Sequence, residues 1–133
     1  MANVTITNED FVVQEPQLHD SVLVGVAIEP HLVRLRFKTP AKRTVCVSLN
    51  DLRGFSLETV FEKNIAFEMR VIPVTKARPS DFSRVFHQSN DVDLNDVRLA
   101  GLRSEGFVFV QVEPVLGADI LALCREVTWQ FDP

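Results

Sequence analysis

Hydrophobic and polar residues alternate most regularly between Leu18 and Phe37, in the stretch LHDSVLVGVAIEPHLVRLRF. Val33, Leu35 and Phe37 fall on one side while Arg34, Arg36 and Lys38 fall on the other. That is the period of a half-buried strand, not of a helix. Upstream, Val22, Val24, Val26 and Ile28 share one face, and Leu23, Gly25 and Ala27 share the other. Both faces are apolar or small, which places this strand inside a sheet with both sides covered. The two runs meet at Glu29-Pro30-His31, where Pro30 lacks a ladder donor and presets a turn-like φ. A β-hairpin at the centre of a mostly β domain follows.

The same reading carries along the chain. Residues 1–17 hold Val4-Thr5-Ile6-Thr7 and Phe11-Val12-Val13, either an edge strand or an ordered arm. Thr44 to Leu49 reads as a third strand with Val45, Val47 and Leu49 inward. Leu52 to Lys63 is ambiguous: Gly54, Thr59 and Val60 oppose a long helix, yet a helical turn after Ser56 is compatible with the residues near 57–63. Asn64 to Ile72 is expected as a strand with Ile65, Phe67, Met69 and Val71 on one face. Ser80 is the expected N-cap of a short helix over 80–88 that sets Phe82 and Phe86 side by side. Asp91 to Leu102 reads as turn-rich, and residues 75–105 together as an inserted loop and helix. Phe107 to Val112 is apolar on both faces. The last strand is expected over Asp119 to Phe131, with Leu121, Leu123, Val127, Trp129 and Phe131 on one face and a bulge near Arg125-Glu126 sparing the charge. The fold class is therefore mainly β: an antiparallel sheet of about six to eight strands forming a sandwich or open barrel, with one or two short helices. Val47 to Arg53 echoes Val92 to Arg98 at five of seven positions, short enough for chance or for a repeated strand–turn unit.

Length and composition add bounds. The 133 residues suit one domain spanning 1–133, and a chain of about 150 residues buries roughly 70% of its unfolded surface, enough for a core without staples. No apolar run nears the roughly 20 residues a membrane-spanning helix needs. The opening MANVTITNED lacks a basic start and an apolar core, so no secretory signal is expected. Cys46 and Cys124 each sit in an apolar run, the setting of a buried small thiol, and a cytoplasmic location is expected. The net charge of −4 argues against general binding to nucleic acid and is compatible with a basic protein partner. Ten Phe, one Trp and no Tyr favour dry packing.

Chemistry is sparse. His19-Asp20 precedes the central strand as a titratable pair, either a metal ligand or acid–base pair or a structural motif binding backbone groups. Adjacent residues of an extended chain point apart, so catalysis would need partners from elsewhere. His31 and His87 show no ligand spacing. Asp91 to Asp96 begins like a calcium loop, but Asp96 stands where glycine is needed and Leu102 where glutamate is needed. No glycine-rich phosphate loop, nucleophile elbow or CxxC occurs. Arg34, Arg36 and Lys38, with Lys42 and Arg43 in the following turn, form a basic stripe that either grips an acidic partner or is a solvated face paired with acids such as Glu68. No catalytic residue, cofactor or metal site is assigned, and the protein is expected not to be an enzyme.

Three short motifs carry a family resemblance: Leu18-His19-Asp20 before an apolar strand, the stretch Leu52 to Asn64, and Cys124 to Val127 in the closing strand. Across roughly residues 18–130 the chain resembles small bacterial proteins of the Immunity protein 50 type, while residues 75–105 match nothing in that pattern. The resemblance implies a cytoplasmic, non-enzymatic module that binds and occludes a toxin domain, often a nuclease. Against a basic nuclease the expected contact residues are Asp91, Asp93 and Asp96, with Arg34, Arg36 and Lys38 as the alternative surface. A homodimer is compatible with the sequence. Two other classes stay open: a small-ligand binder with a Phe-lined interior in which Arg125 is the first polar candidate, and a metal-dependent enzyme using His19 and Asp20.

Overall fold

The computed structural model describes residues 1–7, 9–86 and 96–132, with only the helical course given for 96–99. Among these residues the elements are β1 (Ala2–Asn3), β2 (Thr5–Ile6), β3 (Val13–Glu15), β4 (Val22–Glu29), β5 (Leu32–Lys38), β6 (Thr44–Asn50), β7 (Gly54–Glu58), β8 (Ile65–Pro73), a 3-10 turn (Val74–Lys76), α1 (Pro79–Val85), α2 (Asp96–Ser104), β9 (Val108–Leu116), β10 (Asp119–Cys124) and β11 (Glu126–Phe131). Nine strands form one antiparallel sheet in the order β1-β11-β6-β5-β4-β8-β9-β10-β7, and β2 pairs with β3 beside it. The architecture is mainly β, as the alternation predicts, with nine strands in the main sheet where six to eight are expected.

The sheet is hinged at its middle. β4 and β8 share only the pair Val22↔Ile65, supported by the flanking bonds Leu23 N–H to the Asn64 carbonyl and Ala66 N–H to the Ser21 carbonyl. The two halves fold over each other, and their inner faces meet in one cluster. Val33, Leu35, Phe37, Val45, Val47 and Leu49 come from β5 and β6; Met69, Val71, Val110, Val112, Ile120 and Ala122 come from β8, β9 and β10. Alternation in β5 and β6 fixes this arrangement, since a one-residue slip would turn the whole valine-leucine face to water.

A second core lies on the opposite face of β9 and β10. Phe109, Leu121 and Leu123 point outward there and are covered by Phe82 and Val85 of α1, by Val74 and by Phe107. Phe82 and Phe109 meet edge-to-face at 4.8 Å, a favoured aromatic geometry. This second layer explains why the stretch Phe107 to Val112, which includes the start of β9, reads as apolar on both faces.

Several expectations are corrected. No helix forms near 57–63; Gly54–Glu58 is the sheet-edge strand β7. Its period is two: Phe55 and Leu57 pack on the main core, whereas Gly54 abuts Val85 and Ser56 accepts a bond from Arg84. In α1 the N-cap is Arg78, not Ser80; Asp81 accepts from the Arg78 N–H at 2.9 Å, and Pro79 takes the first helical position. Part of the turn-rich stretch is helix α2, and His87, Asp91 and Asp93 lie outside the described residues. The sequence echo at 92–98 falls partly outside them too, and its Asp96-Val97-Arg98 begins a helix where Asp51 is a bend. Register shifts around Ala66 break the expected face of β8, so Ala66, Met69 and Val71 point inward while Phe67 is exposed.

Two further corrections bear on the surface. β4 is not covered on both sides: Val24 is 55% and Ile28 67% exposed. Its small outward residues lie beneath arginine stems, with Gly25 against the Arg36 methylenes. The last strand is two strands. Cys124 and Val127 both face the main core, and the exposed Arg125 and Glu126 between them shift the chain from one half of the sheet to the other. Leu121 and Leu123 therefore face the helix layer, opposite to Val127 and Trp129.

Candidate functional site

An open groove of about 790 Å³ is built by three stretches. Segment 14–20 forms one wall, the β5–β6 turn at Thr39, Pro40, Ala41 and Arg43 forms the second, and Trp129 with Phe131 of β11 forms the floor. The turn is set by Lys42 in the left-handed region (φ 63) and by paired bonds between Thr39 and Arg43. The β6–β11 ladder, with Trp129 opposite Val47 and Phe131 opposite Val45, fixes the floor.

Aromatic and cationic groups converge in this groove. The Arg43 guanidinium lies 3.5 Å from the Phe131 ring centroid, and Trp129 meets Phe131 edge-to-face at 5.1 Å. Phe131 is 38% exposed. The Trp129 indole N–H is shielded from water and has no protein acceptor among the described residues. Around the rim stand Gln14, Gln17, His19 and Asp20.

His19 separates this groove from a smaller one of about 490 Å³ lined by Val12, Leu18, Phe67 and Met69. Its Nδ1 donates to the Phe67 carbonyl at 2.9 Å, which sets the imidazole tautomer, and its ring packs edge-on to Phe67. Contrary to the expectation that neighbours point apart, its Nε2 lies 3.4 Å from Asp20 Oδ2. The reason is the backbone: Asp20 adopts φ 62, a left-handed turn, and its N–H donates to the Ala66 carbonyl. His19 and Asp20 thereby tie the lead-in to β4 onto β8. Both side chains are more than half exposed, and no group of three or more potential ligands gathers among the described residues.

The remaining sequence-derived candidates are dispersed. Arg34, Arg36 and Lys38 lie together on the outer face of β5. Arg34 pairs with Glu29 at 2.7 Å and Arg36 with Asp132 at 3.5 Å; Glu68, the acid expected to face them, pairs with Arg70 instead. Asp96 opens α2, and Asp91 and Asp93 lie outside the described residues. Arg125 does not enter a Phe-lined interior; it is exposed at the β10–β11 break beside Phe107. Cys124 is enclosed by the main core, and burial, with a smaller contribution from Asp51, pushes its thiol up to about 12. Cys46 is also buried, but on the outer face opposite Arg36 and Gln130.

The groove floor escapes the sequence reading for a clear reason. Trp129 and Phe131 alternate with Thr128 and Gln130 as a core face does, and only the sheet edge shows that this face ends in solvent. Only the β6–β11 register brings Trp129 and Phe131 beside the basic 39–43 turn, more than eighty positions away in the sequence.

No family model matches the chain, and neither the curated proteins nor the solved structures contain a match. The resemblance to immunity proteins thus rests on its three motifs, each of which has a structural task here. Leu18 is buried in the core, Asn64 clamps two turns, and Cys124 and Val127 bracket the strand switch. No helix among the described residues is long and apolar enough to cross a membrane.

Proposed function

We propose that the protein is a non-enzymatic protein-binding module whose recognition surface is the groove between segment 14–20, the 39–43 turn and β11. The observation that carries this reading is the Arg43–Phe131–Trp129 stack, half-open in a groove of about 790 Å³. Trp and Arg are the side chains that most often dominate binding energy at protein interfaces. The rim of Gln14, Gln17, His19 and Asp20 supplies the polar border such anchors need. In its specific form, carried by the sequence resemblance, the module is an immunity protein that occludes a toxin domain in the same cell. The volume also lies within the range of small-ligand sites, about 300–1,000 Å³, which makes a small-ligand binder the second reading.

The test is capture from native lysate with the wild-type chain, Arg43→Ala, Phe131→Ala and Arg34→Ala as baits. The proposal expects one stoichiometric protein held by wild type and Arg34→Ala and lost from both groove variants. A partner retained equally by all four baits would place recognition elsewhere. A groove that shows no protein partner but gives a thermal shift with a small molecule, lost in Phe131→Ala, would move the function to the second reading. A captured toxin domain whose activity the chain suppresses would establish the immunity form.

A further inference from the structure

A third concavity shares no residue with either groove. It measures about 230 Å³ and is lined by His31, Asp51, Leu52, Arg53, Phe107 and Arg125. Three backbone bonds assemble it from distant parts of the chain. Leu52 N–H donates to the His31 carbonyl at 2.9 Å, Arg53 N–H to Leu123 at 2.8 Å, and Arg125 N–H to Asn50 at 3.0 Å. The β4–β5 turn, the end of β6 and the β10–β11 break are thereby locked together.

Two guanidinium groups converge on one ring there. Arg53 lies 5.1 Å and Arg125 5.8 Å from the centroid of Phe107, a side chain only 3% exposed in the second core. The cation–π contacts account for where the arginines rest, but not for their charges. Arg53 reaches Glu105 only at 4.0 Å, with both side chains more than half exposed. Arg125 has no ion pair among the described residues. Asp51 is the one carboxylate lining the pocket, and the Glu105 contact is long and solvent-exposed, so the two guanidinium charges are only partly offset by the described residues. His31, in the left-handed region at φ 64, adds imidazole N–H capacity at the rim. Two arginine forks, fixed by backbone and ring, form an arrangement suited to bidentate capture of a small oxyanion.

We propose that the pocket at Arg53, Arg125 and His31 binds a tetrahedral oxyanion of the phosphate class, free or as a phosphomonoester. The volume admits one such group. The site is formed in this acidic chain where the two arginines meet, away from the basic stripe of β5, whose arginines are already paired.

Calorimetric titration at constant ionic strength, with inorganic phosphate and with a small sugar phosphate as probes, tests the site in the full chain. Saturable one-to-one binding is expected, weakened at least tenfold in Arg53→Gln and in Arg125→Gln and unchanged in Arg34→Gln. Both pocket side chains are exposed, so the variants should retain the wild-type melting temperature, and amide shifts of Arg53, Phe107 and Arg125 report the site directly. Tighter binding of the sugar phosphate identifies a phosphomonoester as the ligand; equal binding identifies the free ion. Absence of saturation, or equal weakening in Arg34→Gln, overturns the proposal, because the effect would then be general charge screening.

Discussion

Asn64 offers the sharpest test of how the turns at the sheet hinge are held. Its Oδ1 accepts from Phe61 N–H and from Ala118 N–H, both at 2.9 Å, and its Nδ2 donates to the Phe61 carbonyl at 3.0 Å. One side chain thus closes the 61–64 turn and ties it to the β9–β10 turn. Asn64→Ala removes three hydrogen bonds, each contributing about 1 kcal/mol. The Phe61 groups can recover water, whereas Ala118 is buried, so the expected loss is about 2 kcal/mol. Asn64→Asp keeps both acceptor bonds and loses the donor, and should cost about 1 kcal/mol. Gly117 supplies the cross-check. It sits at φ 84, and an added Cβ would overlap Asn64 Oδ1 and lie 3.1 Å from the Lys63 carbonyl. Gly117→Ala should therefore destabilise alone, and less so on the Asn64→Ala background, where only the φ strain and the Lys63 contact remain. Urea unfolding followed by the fluorescence of the single Trp gives the numbers. With a slope of about 1.5 kcal/mol per molar, Asn64→Ala should lower the midpoint by about 1.3 M. A shift below about 0.3 M, or strictly additive effects in the double variant, would refute the clamp.

Other expectations follow from the same structure. Phe82→Ala should cost about 3–5 kcal/mol by emptying the second core, read as a lowered melting temperature. Arg84 donates to Ser56 Oγ at 2.9 Å and to Asp119 at its carboxylate and carbonyl, so Arg84→Ala should loosen α1 from β7 and β10 by about 2 kcal/mol, visible as faster amide exchange in α1. Cys124 is held protonated on folding, from an ordinary 9.0 up to about 12. The unfolded thiol ionises first as pH rises, so its stabilising contribution is complete below about pH 9 and is lost between there and about 12. Cys124→Ala should flatten that part of the stability profile, and a thiol reagent at pH 8 should leave Cys124 unmodified until the protein unfolds. Gly54→Ala would set a Cβ 2.8 Å from the Val85 carbonyl oxygen and should cost about 1–3 kcal/mol by displacing α1.

The sequence made some of this legible and hid the rest for identifiable reasons. Strict alternation in β5 gave that strand and its inward residues directly, because one face meets the core and the other meets solvent; in β6 the inward Val45, Val47 and Leu49 were legible too, although Cys46 and Ser48 on its outer face are also buried. It misled in β4, whose small residues signal arginine stems lying over them, not a covering layer. It missed β7, where Gly54 and Ser56 are small to admit α1, a reason visible only once α1 is in place. The His19-Asp20 contact depends on a left-handed Asp20, which period-two reasoning does not contain. The groove joins residues more than a hundred positions apart, and no local pattern announces such a meeting.

The paired exposed residues Arg125 and Glu126 carry a consequence for how this chain tolerates drift in length. They work as a phase shifter: inward positions are even-numbered before them and odd-numbered after them. Loss or gain of one residue between Cys124 and Val127 would leave β10 in phase and invert everything downstream. Thr128 and Gln130 would turn toward the core, Val127 and Trp129 toward water, and the groove floor would vanish with its composition unchanged. Indels at this corner should therefore preserve the fold only in multiples of two, whereas substitutions of the two exposed charges should leave the strand register intact.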